Sequence, residues 1–192
     1  MMNKHSTLAL LLGAAAGAAN AAPVTYRIDP DHTYPSFEAD HMGVSVWRGK
    51  MNKTAGKVVL DKAAGAGSVE IAIDLSSIDF GQNQLNRWAT SAQFFNVKKY
   101  PKASYKGKLD GFVDGVPSQV VGDLTLHGVT RPVVLKIDAF KCIPHPLFKR
   151  ELCGADAGAT FRRNEFGLDA GKDYGFRMDV TLRIQVEALQ AE

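Results

Sequence analysis

The stretch GFRMDVTLRIQVEAL, residues 175–189, alternates with period two along its whole length. Phe176, Met178, Val180, Leu182, Ile184, Val186 and Ala188 share one face, while Arg177, Asp179, Thr181, Arg183, Gln185 and Glu187 share the other. Successive strand side chains point to opposite faces, so this pattern predicts a long antiparallel strand with one face buried and the other in water. SVEIAIDLSSI repeats it, with Val69, Ile71, Ile73 and Leu75 inward, and so does PVVLKIDAF, with Val133, Leu135, Ile137 and Ala139 on one side. Further strands are expected in VTYRID, YPSFEAD, AGKVVLD, ASYKGKLDGFV and VVGDLTLHGV. HGVTRP reads as a turn, because Gly128 and Pro132 interrupt two alternating runs. One helix is expected from Asn86, where Trp88, Ala92 and Phe95 recur at near-helical spacing before the Tyr100-Pro101 stop.

About eight antiparallel strands with a single helix and no βαβ rhythm make an all-β fold, either a sandwich or a closed barrel. Strand length decides between them: a run of about 13 residues suits a tall, tilted barrel wall. The expected architecture is therefore an eight-stranded antiparallel up-and-down barrel with one or more short helices. Such a barrel has an interior just large enough for one small ligand.

The first 22 residues, MMNKHSTLALLLGAAAGAANAA, carry one lysine, then an apolar run from Leu8, then small residues. This is the pattern of a secretory signal peptide over residues 1–21, with Ala19-Asn20-Ala21 as the small-x-small cleavage site. The apolar run is too short to span a bilayer. The expectation is export to the periplasm and a single mature domain over residues 22–192, large enough to bury a core unaided. The formal net charge is +3, of which Lys4 would leave with the leader. Basic residues occur only as scattered pairs such as Lys98-Lys99 and Arg162-Arg163, which argues against a nucleic-acid partner. Ser36, Ser91 and Ser104 lack a Gly-x-Ser-x-Gly context and no phosphate-binding glycine loop is present, so no catalytic residue is assigned and no enzyme is expected.

Four ordered segments resemble those of the YceI-like family. IDPDHTYPSFEADHMGVSVWRGKM is similar to its opening motif, Asp-x-x-His-Ser followed by a phenylalanine and a second histidine. RWATSAQFFNVKKYPKASYKGK resembles its helix and Tyr-Pro-x-Ala step, VVGDLTLHGVTRPVVLKI its Gly-x-Leu-Thr hairpin, and FRRNEFGL its Arg-x-Asp-Phe-Gly segment. Thr33 stands where serine is usual and Glu165 where aspartate is usual. The resemblance covers about residues 24 to 189 and implies a lipocalin-like barrel in the bacterial periplasm. It also implies an apolar interior that binds a polyisoprenoid lipid, such as a polyprenyl phosphate or an isoprenoid quinone, with no covalently bound cofactor.

An enclosed prenyl chain removes several hundred Å² of apolar surface from water, worth several kcal/mol at about 25 cal/mol per Å² before binding costs. Candidate lining residues are Phe37, Trp47, Phe94, Phe95, Phe166, Phe176 and Met178; the alternative is that they fill a solid core. His41 shares the phase of Phe37 and Ala39, so its ring is available to a ligand head group or to a buried carbonyl. His32 is placed to brace a turn through Asp29. A metal site needs three or four converging ligands, and none is expected. Arg87, at the expected helix start, and Arg163, beside Phe166-Gly167, are the candidate counter-groups for a phosphate. An enzyme acting on a lipid or small aromatic, with His41 as first member, and an interaction module built on the cysteine segment are the rival readings. Transient membrane contact and a homodimer are left open.

KCIPHPLFKRELC, residues 141–153, holds both cysteines and lies outside the pattern common to the family. In an oxidising compartment Cys142 and Cys153 are read as a disulfide pinning a long strand connection at the barrel rim. Pro144 and Pro146 are expected to keep the intervening chain irregular. Zinc bound by Cys142, His145 and Cys153 is the rival, and it lacks a fourth ligand.

Overall fold

The long alternating run forms the strand on which the fold closes. A computed structural model describes residues 22–192; the expected leader over residues 1–21 lies outside the described residues. In chain order the elements are β1 (Val24–Ile28), β2 (Tyr34–His41), β3 (Ser45–Met51), β4 (Thr54–Asp61), β5 (Ala66–Asp74), β6 (Ile78–Asp79), α1 (Asn83–Thr90), β7 (Lys102–Asp110), β8 (Gln119–Leu126), β9 (Val129–Pro144), β10 (Glu151–Arg162) and β11 (Asp179–Gln190). β11 pairs along its whole length with β10. Its other edge pairs with β2 from Val180 to Gln185 and with β1 from Ala188 to Gln190. β1 and β2 thus form one kinked wall member, and β3 and β4, which pair with β2 and β1 respectively, form a second. With β5, β7, β8, β9, β10 and β11 they close an eight-membered antiparallel barrel, as the alternation predicted.

The kink lies in the motif Asp29-Pro-Asp-His-Thr33, where side chains take over the work of the backbone ladder. The Thr33 hydroxyl donates to the Glu187 carbonyl at 3.2 Å and accepts from the Glu187 N–H at 3.1 Å, between the stretches of β11 that β1 and β2 serve. Thr33 is 2% exposed. His32 and Asp29 bond at 2.9 Å, Asp29 also accepts from the Asp31 N–H, and the Tyr34 hydroxyl donates to the Asp31 carbonyl. The expectation that His32 braces a turn through Asp29 matches this geometry.

Gly107 and Gly122 face each other across β7 and β8. A methyl group on Gly122 would lie 2.4 Å from the Lys106 carbonyl oxygen and 2.6 Å from the Gly107 Cα. Only hydrogen fits where two backbones approach so closely.

Several local expectations are corrected. β3 and β10 carry too few large inward residues to show strong alternation and were not anticipated as strands. β5 ends at Asp74, and Leu75–Ser77 form a turn of 3-10 helix capped by the Asp74 side chain. On β9 Asp138 is bulged, since Ala139 pairs with Asp156 and Ile137 with Ala157. The bulge reverses the phase, so Phe140 faces the interior and Ala139 is exposed. The helix starts at Asn83, capped by the Gln82 side chain, and stops at Thr90, which leaves Ala92 outside it and exposed.

Cys142 and Cys153 are joined, but not as a clamp on a long irregular loop. They oppose each other within the β9–β10 ladder, whose strands run on to Pro144 and resume at Glu151. Pro144 is tolerated because it is the last residue of its strand. The connection is a short hairpin, with Leu147 and Phe148 exposed at its tip.

Two outcomes are expected. Thr33→Val, which leaves the Glu187 N–H without its acceptor, lowers unfolding free energy by about 1–3 kcal/mol in denaturant titration, while Thr33→Ser stays near wild type. Replacing both cysteines with alanine costs about 3 kcal/mol by the loop-entropy account, measured in the same way under oxidising conditions.

Candidate functional site

The inward faces of the barrel staves do not meet in a solid core. They enclose a cavity of about 300 Å³, at the lower end of the roughly 300–1,000 Å³ range of ligand pockets. Aliphatic side chains from nearly every stave line it: Val58 and Leu60 on β4, Ile71 and Ile73 on β5, Leu135 and Ile137 on β9, and Leu182, Ile184 and Val186 on β11. One end is packed shut by Tyr26, Ile28, Leu60, Cys153 and Ala188, with Phe112 and Phe140 against them. Above this plug the Glu151 carboxylate accepts from the Tyr26 hydroxyl and pairs with Lys62 at 2.7 Å. Burial first, and then the bond to Glu151, raises the Tyr26 hydroxyl pKa.

The other end is aromatic and carries the charged groups. Of the candidate lining residues, Phe37, Trp47, Phe94, Phe95 and Phe176 border the cavity. Phe166 and Met178 are buried but stand behind the lining: Phe166, fully enclosed, packs its ring edge-on against Phe161. His41 also stands outside the lining, stacked on Trp47 at 4.1 Å and edge-on to Phe176 at 4.9 Å. Among the described residues no side chain is hydrogen-bonded to the His41 ring. Arg87, expected at the helix start, lies in the last turn of α1 and is exposed. The three-residue difference in where the helix begins accounts for this.

Arg163 borders the cavity and is 7% exposed. It opens a short 3-10 turn, Arg163–Phe166, closed by Gly167 in the left-handed region. Its guanidinium donates to the Leu168 and Ala170 carbonyls, both at 2.7 Å, and lies 5.9 Å from the centre of the Phe94 ring. Burial lowers its pKa, and nearby Asp169 opposes that shift. Two of its five N–H donors are met by these carbonyls, and among the described residues no carboxylate forms an ion pair with it. A buried cation of this kind supplies a counter-charge for an anionic group.

Asp40, which the sequence reading passed over, borders the same end. It accepts from the Arg177 and Gly43 backbone N–H groups and pairs with the Arg177 guanidinium at 2.9 Å. The Arg177 N–H first, followed by the other donors, holds its carboxyl below the usual range against the opposing effect of burial. Phe80 and Trp88 also border the cavity. Both lie in the segment between β6 and β7, where no alternation marks an inward face.

Two clusters bring metal-ligating atoms within 4.8 Å of one another. In Cys142, Glu151 and Cys153 the sulfurs are bonded to each other, and His145, once a candidate third ligand, accepts from the Leu147 and Phe148 N–H groups at the hairpin tip. In Asp29, His32 and Glu187 the first two are bonded together in the kink.

A family model described as the YceI-like domain matches residues 26–188. A UPF0312 protein of Pseudomonas aeruginosa strain LESB58 is 31% identical over 196 residues, covering 98% of this chain and 100% of its own. A UPF0312 protein of Pseudomonas putida strain W619 is 30% identical over 189 residues, covering 96% and 97%. Among solved structures, Burkholderia cenocepacia BcnA superposes with a TM-score of 0.67 at 21% identity, over 83% of this chain and 98% of its own. A polyisoprenoid binding domain from Saccharophagus degradans, implicated in plant cell wall breakdown, gives 0.64 at 16% identity, over 88% and 99%. At these identities the two structures speak for the fold.

Thr54 borders the cavity, is 3% exposed, and its hydroxyl has no hydrogen-bond partner among the described residues. Thr54→Val removes an unsatisfied buried oxygen at nearly constant shape, so it is expected to be neutral or to raise stability by up to about 1 kcal/mol. Chemical denaturation of the lipid-free protein measures this, and a clear loss of stability contradicts it.

Proposed function

The chain belongs to the YceI-like family, and from that premise we propose that its barrel carries an isoprenoid lipid for transport, storage or stress protection, and is not an enzyme. The observation that carries this reading is the distribution of polarity in the cavity. Aliphatic side chains line it from the Tyr26 plug upward, and the charged groups Arg163 and Asp40 lie only at the opposite, aromatic end. An unbranched polar ligand would leave its groups unpaired against such walls, whereas a prenyl chain gains from every Å² it buries.

In this reading the chain lies among Val58, Ile71, Leu135, Leu182 and Ile184, and the head group meets the Arg163 end. The buried guanidinium favours a phosphate head over a neutral quinone, because an anion can accept from the N–H donors that the Leu168 and Ala170 carbonyls leave free. The name of the Saccharophagus domain supports the ligand class. Placement in the periplasm rests on the leader pattern of residues 1–21, and the mass of the exported protein, beginning at Ala22, tests it.

Protein purified from its native host without detergent is expected to release about one prenyl lipid per barrel on organic extraction, identified by mass spectrometry. Ala155→Trp, which pushes an indole into the cavity from β10, is expected to fold and to carry little or none. Repeated extraction without lipid, together with no binding of added polyprenyl phosphate or quinone, would sink the proposal.

A further inference from the structure

Along β3 the barrel wall is not sealed by a backbone ladder. The strand's first edge pairs with β2 from Ser45 to Lys50, but its second edge pairs only at Lys50 and Met51, with the two-residue strand β6. Opposite the free stretch lies α1, and between them runs a surface groove lined by Val46, Arg48, Gln82, Gln84 and Leu85. Three further residues, Trp47, Phe80 and Trp88, line both this groove and the cavity behind it. Here the wall between lipid site and solvent consists of side chains. Rings can turn about their side-chain torsions without breaking a ladder, whereas parting any other pair of staves would strip a row of backbone hydrogen bonds.

Beside the groove the β2–β3 turn carries an apolar ridge. Val44 is 79% exposed, Met42 46% and Val46 45%. The Asp40 carboxylate, itself held by Arg177, accepts from the Gly43 N–H and so fixes the turn that presents them. On the opposite flank α1 shows Arg87 to solvent. Apolar side chains backed by a cation suit the boundary between acyl chains and headgroups of a bilayer containing anionic lipid.

We propose that the groove between β3 and α1 is the door through which the isoprenoid chain passes, and that the β2–β3 turn seats this door on a lipid bilayer. The inference rests on the carrier reading and adds the route and the surface that it lacks. Lipid need not cross water: it slides from the membrane past Trp47, Phe80 and Trp88 into the barrel side-on, while the Tyr26 plug stays closed.

The chain's two tryptophans, Trp47 and Trp88, both stand in the door, so a quinone that enters quenches the intrinsic fluorescence. The probe is ubiquinone-2, supplied in phosphatidylethanolamine–phosphatidylglycerol vesicles or as monomers from ethanol. Val46→Cys and Leu85→Cys, on opposite sides of the groove, are joined by a short bismaleimide; Cys142 and Cys153 are already paired and do not react. Cross-linking is expected to slow quenching from either source by about tenfold or more relative to the same double variant capped singly at each thiol. Cross-linking after loading is expected to slow release into empty vesicles likewise. Equal rates before and after cross-linking, in a protein whose circular dichroism and melting are unchanged, overturn the door. Met42→Ser with Val44→Ser is expected to slow loading from vesicles and leave loading from ethanol unchanged; wild-type loading from vesicles overturns the bilayer seat. Absence of quenching at equilibrium in the wild type from both sources, together with no binding of added polyprenyl phosphate, overturns the carrier reading itself.

Discussion

The structure depends on how β11 is served along its second edge. One strand of 12 residues needs hydrogen-bond partners on both sides, and no single neighbour supplies them: β2 covers its first half and β1 its last residues. Across the gap Thr33 acts with its hydroxyl as a surrogate backbone, donating to the Glu187 carbonyl and accepting from its N–H. The Asp29 N–H also donates to the Glu187 carbonyl at 2.9 Å, so it is the Glu187 N–H that the Thr33 hydroxyl alone keeps from being left unpaired beside an apolar interior. The motif containing Asp29, His32 and Thr33 is thus explained by closure, and its acid and histidine act on the kink rather than on a ligand.

Closure leaves a hollow interior, because the inward residues are medium-sized aliphatics on staves held apart by the barrel's own geometry. Polarity is then sorted along the axis. The plug end is closed by Tyr26, Phe112 and Phe140 and latched by Glu151 and Lys62, and Cys142–Cys153 pins the hairpin beside it. The other end combines stacked rings with Arg163 and Asp40, each satisfied in part by backbone groups. There, along β3, the ladder gives way to side chains. Rigidity at one end and ring packing at the other follow from the same sheet, since β3 lacks a ladder along most of its second edge.

Period-two alternation in β5, β9 and β11 was enough to read the barrel, its inward faces and much of the lining. It failed where the phase is set by something other than the residue itself. Ala139 and Phe140 exchange faces because Asp138 bulges, a matter of pairing with β10. The run GADAGAT in β10 has no large inward side chains, so nothing in it announced a strand. β3 has only two large inward residues, Trp47 and Met51, with Gly49 between them, so its alternation is weak. Phe166 and Met178 have the residue types of a lining, and are buried, but the turn after β10 and the approach to β11 put them behind it. Pro144 and Pro146 suggested an irregular connection, yet the strands run on until the last residue that can pair.

Sequence alone determined that the chain builds a closed, all-β, apolar-lined barrel, because alternation is a local consequence of strand geometry and belongs to each segment separately. It also determined the cysteine pair, since both lie in one short segment of a chain expected in an oxidising compartment. Tertiary structure decided where the cavity is charged, where it is plugged and where its wall is made of rings. Those depend on which side chains meet across segments distant in the chain: Arg163 with the Leu168 and Ala170 carbonyls, Asp40 with Arg177, Trp47 with Phe80 and Trp88. Encounters of that kind are set by register and closure, which no stretch of the sequence carries by itself.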